Sequence, residues 1–246
     1  MADRPVLLIR GSGNERDAQA LAALGISSVS ESFTQITSGE KETALQLLRF
    51  ASGNRGWVIV TSRNGVEHWN NLLEPQSLRL FFSKNPALRF AAIGSGSAQA
   101  LKSLGVAEVL IPIRQSAEGL LDFLSGYPAS SAVIPIGNLA GSVLPEGLRR
   151  RGWVVHTGVV YVNSPAVLVP AAVTGVGTGE FSAVVLRSPS AARAFAHFLP
   201  DSKIPLICGD GSTAATAREL ALDVAAVADD PSPESIANLV ARIMEE

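Results

Sequence analysis

Hydrophobic positions fall into short apolar runs that alternate with amphipathic stretches along the whole chain. Pro5–Arg10, Trp57–Val60 and Ala132–Ile136 are nearly continuous apolar runs, the pattern of strands buried on both faces of a sheet. Lys41–Ala51 and Ala117–Leu124 instead place their apolar residues on one face of a helix. Regular alternation of such strands and helices predicts an α/β fold with parallel sheets.

The same patterns predict most of the remaining elements. Further strands are expected at Ile26–Phe33, Phe90–Ile93, Val109–Pro112, Trp153–Val162, Ala183–Leu186, Leu206–Cys208 and Val224–Val227. Further helices are expected at Glu15–Leu24, Val66–Leu73, Ser97–Leu104, Leu144–Arg151, Ala191–Phe198 and Ser235–Met244, several of them ended by a glycine.

An internal repeat links two distant stretches, Leu206–Leu220 and Phe90–Gly105. Each consists of a short strand, a Gly-rich polar turn and an Ala-rich helix. Backbone N–H groups in the first turn of a helix lack intrahelical partners and lie at the positive end of the helix dipole, so such a turn suits an anion. Two such turns indicate two similar domains that bind one ligand with several negative groups.

The beginning of the chain supplies a second repeat. Residues 5–33 resemble residues 132–160, so the N-terminal strand and helix are expected to complete the C-terminal domain. The fold class predicted is α/β, with two similar parallel-sheet domains of flavodoxin or Rossmann type. The first domain is discontinuous, at 1–35 plus 165–246, and the second is inserted, at 38–162. Two extended linkers near 33–38 and 161–165 would join them and make a hinge beside a cleft.

Composition narrows the function classes. The 246 residues are 47% hydrophobic and 17% charged, with a net charge of -2, which is typical of a globular protein and gives no basic surface for nucleic acid. Cys208 is the single cysteine, so neither an internal disulfide nor a thiolate metal cluster is expected. No apolar run is long enough to span a membrane, and the N-terminus lacks a signal-peptide layout. These observations predict a soluble cytoplasmic protein.

Several familiar catalytic patterns are missing. The sequence has no nucleophile elbow, no P-loop and no Rossmann fingerprint, because Gly94-Ser95-Gly96 lacks the third glycine. The histidines His68, His156 and His197 share no spacing and are interpreted as structural. Cys208 is interpreted as a small core residue. An enzyme acting on nucleotide sugars or phosphate esters would need an acid–base pair that is not evident.

A set of motifs, taken in order, resembles one family over essentially the full length. The motifs are VLLIR, VTSRNGVEHW, AAIGSGSAQALKSLG, IPIGNLAGSVLPEGLRRRGW, GVVYV, VLRSPSAARAF and GDGSTAATAREL followed by SPESIANLV. In these motifs the chain resembles the uroporphyrinogen-III synthases. The resemblance implies the two-domain fold inferred above. It also implies a cofactor-independent lyase that converts linear hydroxymethylbilane into uroporphyrinogen III in tetrapyrrole (heme, siroheme and cobalamin) biosynthesis.

The resemblance also implies a mechanism. Loss of water from the terminal hydroxymethyl group gives an azafulvene cation, and ring D attacks it to form a spiro intermediate that recloses with ring D inverted. Tyr161 matches the hinge tyrosine of the family and is the expected proton donor. The chain is expected to act as a monomer on a small-molecule substrate, without nucleic acid or membrane, and to receive this substrate from hydroxymethylbilane synthase.

The substrate carries many carboxylates, which a chain with net charge -2 would bind through helix N-termini rather than a basic surface. Arg10, Arg63 and Arg187 could add bidentate contacts, and the alternative for each is a surface or ion-paired arginine. For the turn residues the alternative is an ordinary helix N-cap. The expected substrate-binding residues are Arg10, Thr61, Ser62, Arg63, Asn64, Ser95, Ser97, Gly137, Asn138, Ser188, Ser190, Ser212 and Thr213.

Departures from the family pattern leave one alternative open. Ile9-Arg10-Gly11 stands where members commonly show Thr-Arg-Pro, and Arg63 follows Thr61-Ser62 where a proline is frequent. Asp210 in the late turn is unexpected beside an anionic ligand, and it could instead cap the following helix. The alternative function is a two-domain protein that binds an anionic small molecule without chemistry and would not need Tyr161.

Overall fold

The computed structural model describes residues 4–9, 14–52 and 56–245. The chain divides into two compact units. The first unit is formed by Met1–Gln35 with Ser164–Glu246, and the second unit by Ile36–Asn163. None of the helices in the described part of the chain is both long and apolar enough to cross a lipid bilayer.

Strands and helices alternate within the described residues. The strands are β1 (Val6–Ile9), β2 (Ser28–Glu31), β3 (Thr34–Ser38), β4 (Trp57–Val60), β5 (Arg89–Ala92), β6 (Ser131–Gly137), β7 (Val154–Pro165), β8 (Val184–Leu186), β9 (Leu206–Cys208) and β10 (Val224–Val227). The helices are α1 (Glu15–Ala23), α2 (Lys41–Ala51), α3 (Arg63–Asn71), α4 (Ser77–Lys84), α5 (Ser95–Ser103), α6 (Ala117–Leu124), α7 (Val143–Arg150), α8 (Ala171–Thr178), α9 (Pro189–Phe198), α10 (Gly211–Glu219) and α11 (Pro233–Glu245).

The sheet of the first unit has the strand order β10-β9-β8-β1-β2. Strand β1 pairs in parallel with β8 and with β2. Its four residues are completely buried because both of its faces are covered. Leu7 and Ile9 join a core cluster with residues of α9 and α10. Val6 and Leu8 point to the opposite face and join a cluster with residues of α1 and α11.

The sheet of the second unit has the order β3-β7-β6-β4-β5 and is built in the same way. Val58 and Val60 of β4 join one core cluster with residues of α2, α3 and α5. Trp57 and Ile59 join another on the opposite face, with residues of α6 and α7. Both sheets are therefore layered between helices, as expected for parallel sheets whose strands are connected by helical crossovers.

Four strands of each sheet share one order when the chain is read from a different starting point: β9-β8-β1-β2 in the first unit and β5-β4-β6-β7 in the second. Strand β1 lies between β8 and β2, just as β6 lies between β4 and β7. The predicted α/β fold, with two similar, predominantly parallel sheets and a discontinuous first half, is confirmed, although the edge strand β3 runs antiparallel to β7. The N-terminal strand completes the C-terminal sheet, as the sequence repeat predicted.

Two local predictions differ from the structure, and a third is refined. The extended linker expected near 33–38 forms strand β3 at the edge of the second sheet, where its β-branched residues favour extended backbone, and the chain passes from the first unit to the second between Gln35 and Ile36. The strand expected at Val109–Pro112 is wrong, because only Leu110 forms a bridge, to Ala91, and Pro112 has no backbone donor to continue the pairing. Helices α4 and α8 were not predicted.

Candidate functional site

Strand-to-helix turns at the carboxyl edge of each sheet hold most of the predicted site residues. In open α/β sheets ligands bind at this edge, where several turns meet. The second unit contributes the turns from β4 to α3, from β5 to α5 and from β6 to α7. The first unit contributes the turns from β8 to α9 and from β9 to α10.

The turn after β4 is organised by Ser62. Its backbone is extended, and its Oγ accepts a hydrogen bond of 3.0 Å from the N–H of Gly65, so Ser62 is the N-cap of α3. Gly65 allows α3 to approach β6 closely, because a Cβ at this position would lie 2.8 Å from the carbonyl oxygen of Pro135 in β6. The cap and the glycine together hold the first turn of α3 against β6. Thr61 and Asn64 are half-buried in this turn.

Strand β7 carries a β-bulge where it meets the end of β6. Ile136 pairs with Val159 in the regular ladder. The next pair is Gly137 with Tyr161, so Val160 is an extra residue on β7. Strict alternation would place Val160 and Tyr161 on opposite faces of the sheet, but both contact the same core cluster. The bulge therefore turns the Tyr161 side chain toward α3.

Three neighbours surround the Tyr161 ring in the second unit. The phenol oxygen lies 3.3 Å from Ser62 Oγ. The ring of His68 stacks on the phenol ring, with centroids 5.5 Å apart and an interplanar angle of 30°. Gly137 lies under the ring, because a Cβ at this position would stand 2.7 Å from the phenol oxygen. Tyr161 remains half-buried, so its hydroxyl is fixed and yet partly accessible.

His68, which was interpreted from the sequence as structural, lies beside the Tyr161 ring. Its Nδ1 lies 2.9 Å from Oγ of Ser38, which is exposed at the end of β3. The spacing of Ser62, Gly65 and His68 at intervals of three residues was a signal, because it puts them on one face of α3. His156 stacks on Phe50, and His197 packs against Phe198 in the first unit.

The turn after β6 is closed by Asn138. Its Nδ2 donates to the carbonyl oxygen of Asn163, and its Oδ1 accepts from the N–H of Asn163 at 2.8 Å. Its own N–H donates to the carbonyl oxygen of Tyr161. The side chain thus imitates a backbone segment and secures β7 directly beyond the bulge. Asn138 is exposed and Gly137 is buried.

Helix α5 begins at Gly94, which has no side chain to cap it. The N–H of Ser95 donates instead to Oε1 of Gln115, at 3.3 Å. No pattern in the sequence pointed to Gln115. Nη2 of Arg63 would lie 3.5 Å from a Cβ on Gly96, so this exposed guanidinium stands beside the first turn of α5. The structure therefore places Arg63 beside the first turn of α5, whereas Ser97 is buried on that helix.

In the first unit, Arg187 follows β8 but is held within the fold. Its Nε lies 3.2 Å from Oδ2 of Asp17, and the two side chains are only 10% and 1% exposed. Its Nη2 donates to the carbonyl oxygen of Pro231, at 2.9 Å. Of the two interpretations that the sequence left open for Arg187, the structure fits the ion-paired arginine: its guanidinium neutralises a buried carboxylate of α1.

Asp210 is the N-cap of α10, the alternative that the sequence left open. Its Oδ1 accepts from Ser212 Oγ and from the N–H of Thr213, both at 2.7 Å. Burial of the carboxyl group raises its pKa, but these hydrogen bonds outweigh burial and leave the pKa below its usual value. The first turn of α10 thus already holds a carboxylate, and the Thr213 side chain is fully buried.

The remaining predicted residues are placed as follows. Ser188 caps α9 by accepting from the N–H of Ala191, and its Oγ lies 3.0 Å from Ser190 Oγ. Arg10 lies outside the described residues. Cys208 is buried in the core as predicted, and burial raises the pKa of its thiol to about 11. Among the described residues no group of His, Cys, Asp and Glu side chains could hold a metal ion.

A family model described as uroporphyrinogen-III synthase HemD matches residues 15–238. The match covers nearly the entire chain, including every turn described above. The chain belongs to the uroporphyrinogen-III synthase family. Membership makes it an enzyme of the lyase type in tetrapyrrole biosynthesis that acts on a small molecule, and nothing in the match favours the alternative of a binding protein without chemistry.

Solved structures of this family share the fold. Uroporphyrinogen-III synthetase from Helicobacter pylori aligns over 98% of this chain and 99% of its own, with a TM-score of 0.68 and 16% identity. A mutant uroporphyrinogen III synthase from Thermus thermophilus aligns over 98% of this chain and 99% of its own, with a TM-score of 0.64 and 17% identity. The fold of the uroporphyrinogen-III synthases is therefore retained in this chain although few residues are identical.

Proposed function

We propose that the chain is a hydro-lyase that closes hydroxymethylbilane to uroporphyrinogen III, with Tyr161 as the proton donor to the departing hydroxyl. The observation that carries this assignment is the fixed phenol of Tyr161, half-buried at the carboxyl edge of the second sheet and held 3.3 Å from the N-cap serine of α3. Family membership supports the overall reaction, and the geometry supports the role of Tyr161.

The proton transfer balances over one turnover. The Tyr161 hydroxyl gives its proton to the terminal hydroxyl of the bilane, the carbon–oxygen bond breaks, and water leaves an azafulvene cation. The substituted carbon of ring D attacks this cation, and the spiro intermediate fragments and recloses with ring D inverted. The final loss of a proton from the newly bonded pyrrole carbon restores aromaticity and supplies the proton that returns to Tyr161.

Ser62 supports the phenolate formed in this step. Its Oγ accepts from the N–H of Gly65, so the hydroxyl hydrogen of Ser62 is available for donation to the phenol oxygen of Tyr161. The positive end of the α3 dipole lies at the same place and favours negative charge there. General-acid assistance of this kind is worth roughly 10²–10⁴-fold in rate, and the rest of the catalysis would come from holding the bilane in one geometry.

The substrate carboxylates are assigned to helix first turns. Arg63 is the best placed of the predicted residues, because its exposed guanidinium stands beside the first turn of α5, where Ser95 lies. Ser188 and Ser190 offer hydroxyls at α9. Ser212 and Thr213 are weaker candidates, since both already donate to Asp210. Acid assistance and positioning need no cofactor, and the proposal includes a monomer acting in the cytoplasm on bilane supplied by hydroxymethylbilane synthase.

A coupled assay tests the function. Hydroxymethylbilane is generated in situ, the products are oxidised, and the uroporphyrin isomers I and III are separated by chromatography. The wild-type chain is expected to give mainly isomer III. Tyr161→Phe is expected to lower the rate of isomer III formation by about a hundredfold, since only the donated proton is removed.

Tyr127→Phe is the matched control. Tyr127 is the other tyrosine of the chain, and its ring packs edge-on against Trp57 at 5.0 Å in the core of the second unit. Its removal is expected to leave the rate unchanged. Only isomer I from the folded wild-type chain would overturn the synthase assignment and favour the binding protein. Full activity in Tyr161→Phe would leave the synthase intact and assign the proton to another donor.

A further inference from the structure

His68 occupies a position that the proposed chemistry does not use. It is half-buried on α3, its ring covers one face of the Tyr161 phenol, and its Nδ1 is bonded to Ser38 on β3. Three separate elements of the second unit therefore meet at this ring: α3, β3 and β7. Ser38 contacts His68, and His68 in turn contacts Tyr161.

Packing of α3 does not depend on His68. Trp69 and Val66 are buried in the core of the second unit, and Nε1 of Trp69 donates to the carbonyl oxygen of Ala44. The His68 side chain instead forms its hydrogen bond with a serine at the exposed end of β3. A histidine needed only for the core would be expected to point inward with Trp69 rather than to stack on a half-exposed phenol.

The contacts explain what His68 does. A tyrosine on a strand can swing its hydroxyl by rotation about two torsions, and Ser62 restrains only the oxygen at the tip of the ring. Gly137 lets the ring lie close to the sheet, but it has no side chain that could restrain the ring. The His68 ring closes the remaining face, and the bond to Ser38 fixes the imidazole in turn.

We infer that His68 is a positioning residue for Tyr161, held in place by Ser38, and that it acts on the rate through the orientation of the phenol hydroxyl. This inference rests on the proposed function, in which Tyr161 is the proton donor. It assigns a role to a side chain that was interpreted from the sequence as structural.

A double-mutant cycle tests the inference. His68→Ala is expected to lower kcat for isomer III by roughly tenfold with KM changed less than about twofold, because misplacing a reacting group by a fraction of an ångström costs rate rather than binding. His68→Phe keeps a ring on Tyr161 and is expected to recover most of kcat. In the Tyr161→Phe background, His68→Ala is expected to have no further effect, since the group it positions is gone.

The opposing outcomes are distinct. An equal loss from His68→Ala in both backgrounds would assign His68 a role independent of Tyr161, and an unchanged kcat would remove any role in the reaction. His156→Ala is the matched control: His156 is also half-buried in the second unit, but its ring is stacked on a phenylalanine, Phe50, instead of on Tyr161. Its kcat is expected to equal that of the wild type.

A second measurement needs no activity. In Tyr127→Phe, Tyr161 is the single tyrosine of the chain, so incorporation of 3-fluorotyrosine gives one ¹⁹F signal that reports on its ring. His68→Ala is expected to shift and narrow this signal as the ring becomes mobile, and Ser38→Ala is expected to do so to a lesser degree. An unchanged signal would overturn the inference. If the wild-type chain forms no isomer III, the proposed function fails, while the ¹⁹F signal still tests the contact.

Discussion

The carboxyl edges of the two sheets carry similar residues and use them differently. In the first unit Arg187 neutralises Asp17, and Asp210 receives the hydrogen bonds of Ser212 and Thr213. In the second unit Ser62 and His68 instead contact the half-buried phenol of Tyr161. The same strand-to-helix turn can therefore serve the stability of the fold or present groups to a ligand.

The difference follows from one strand. Strand β7 passes the end of its sheet with a bulge that brings Tyr161 over Gly137 and under His68. In the first unit the pairing of β1 with β2 is regular over all four residues of each strand. The register shift of that unit lies elsewhere, between β9 and β10 at Val224 and Ala226. The position of the register shift, beside the Gly137 turn, thus distinguishes the candidate catalytic edge of the second unit.

Among the substitutions considered, one at Gly137 should have the largest effect, and it should lower the activity at the carboxyl edge of the second sheet. A Cβ at residue 137 would collide with the Tyr161 ring and stand 2.7 Å from its hydroxyl oxygen, so the ring must move. Gly137→Ala is expected to lower kcat for isomer III by roughly a hundredfold, as expected for ångström-scale misplacement. Gly141→Ala, in the same turn but with open space around its Cβ, should behave as wild type. Equal kcat values for the two variants would contradict the role of the bulge.

Breaking the buried ion pair between Asp17 and Arg187 should lower the stability of the first unit. Asp17→Asn leaves the Arg187 guanidinium buried without its counter-charge and is expected to lower the free energy of unfolding of the first unit by about 3 kcal/mol. Hydrogen exchange of the β1 and β8 amides measures this loss. The three tryptophans, Trp57, Trp69 and Trp153, all lie in the second unit and report on that unit alone.

A matched control for the ion pair is available at the surface. Arg49 and Glu42 form a bond of 2.9 Å, but their side chains are 66% and 54% exposed. Glu42→Gln is expected to change stability by less than about 1 kcal/mol. Retained protection of the β1 and β8 amides in Asp17→Asn would show that the pair is not needed for the first sheet.

Removing the Asp210 carboxylate that caps α10 should have the smallest effect on stability, and this effect should depend on pH. The pKa of Asp210 is lower in the folded chain than in the unfolded one, so its stabilisation is fully present above the unfolded value of about 3.9 and is lost as the pH falls through the folded value. Asp210→Asn should cost about 1 kcal/mol at neutral pH and little in strong acid. Denaturant unfolding at both pH values measures this, with Asp201→Asn, in an exposed turn, as the control. The same cost at both pH values would exclude the carboxylate as its source.

Most of the fold could be predicted from the sequence because burial leaves a clear pattern. The apolar run of β1 follows from burial on both faces, and the bounds predicted for α2 and β10 match the structure. The position of β1 in the C-terminal sheet followed from the repeat of residues 5–33 in residues 132–160. Strand β3 was missed because an exposed edge strand carries few apolar residues.

The candidate site was predicted only in part, since its decisive features are not local. Tyr161 and Ser62 were identified, but alternation along β7 does not reveal that Val160 is an extra residue. His68 reaches the site because β3 and β7 flank α3, a matter of tertiary arrangement. Whether an arginine binds a ligand or an internal carboxylate depends on a partner far along the chain, as Arg187 and Asp17 show.

The place of β1 in its sheet has a consequence for synthesis of the chain. Leu7 and Leu8 pair with Val184 and Val185 of β8, so this ladder cannot close until the whole inserted unit has left the ribosome. Until then a strand that ends up completely buried must remain without one of its two neighbours. A long-range pairing of this kind delays folding and leaves an aggregation-prone apolar segment exposed on the nascent polypeptide.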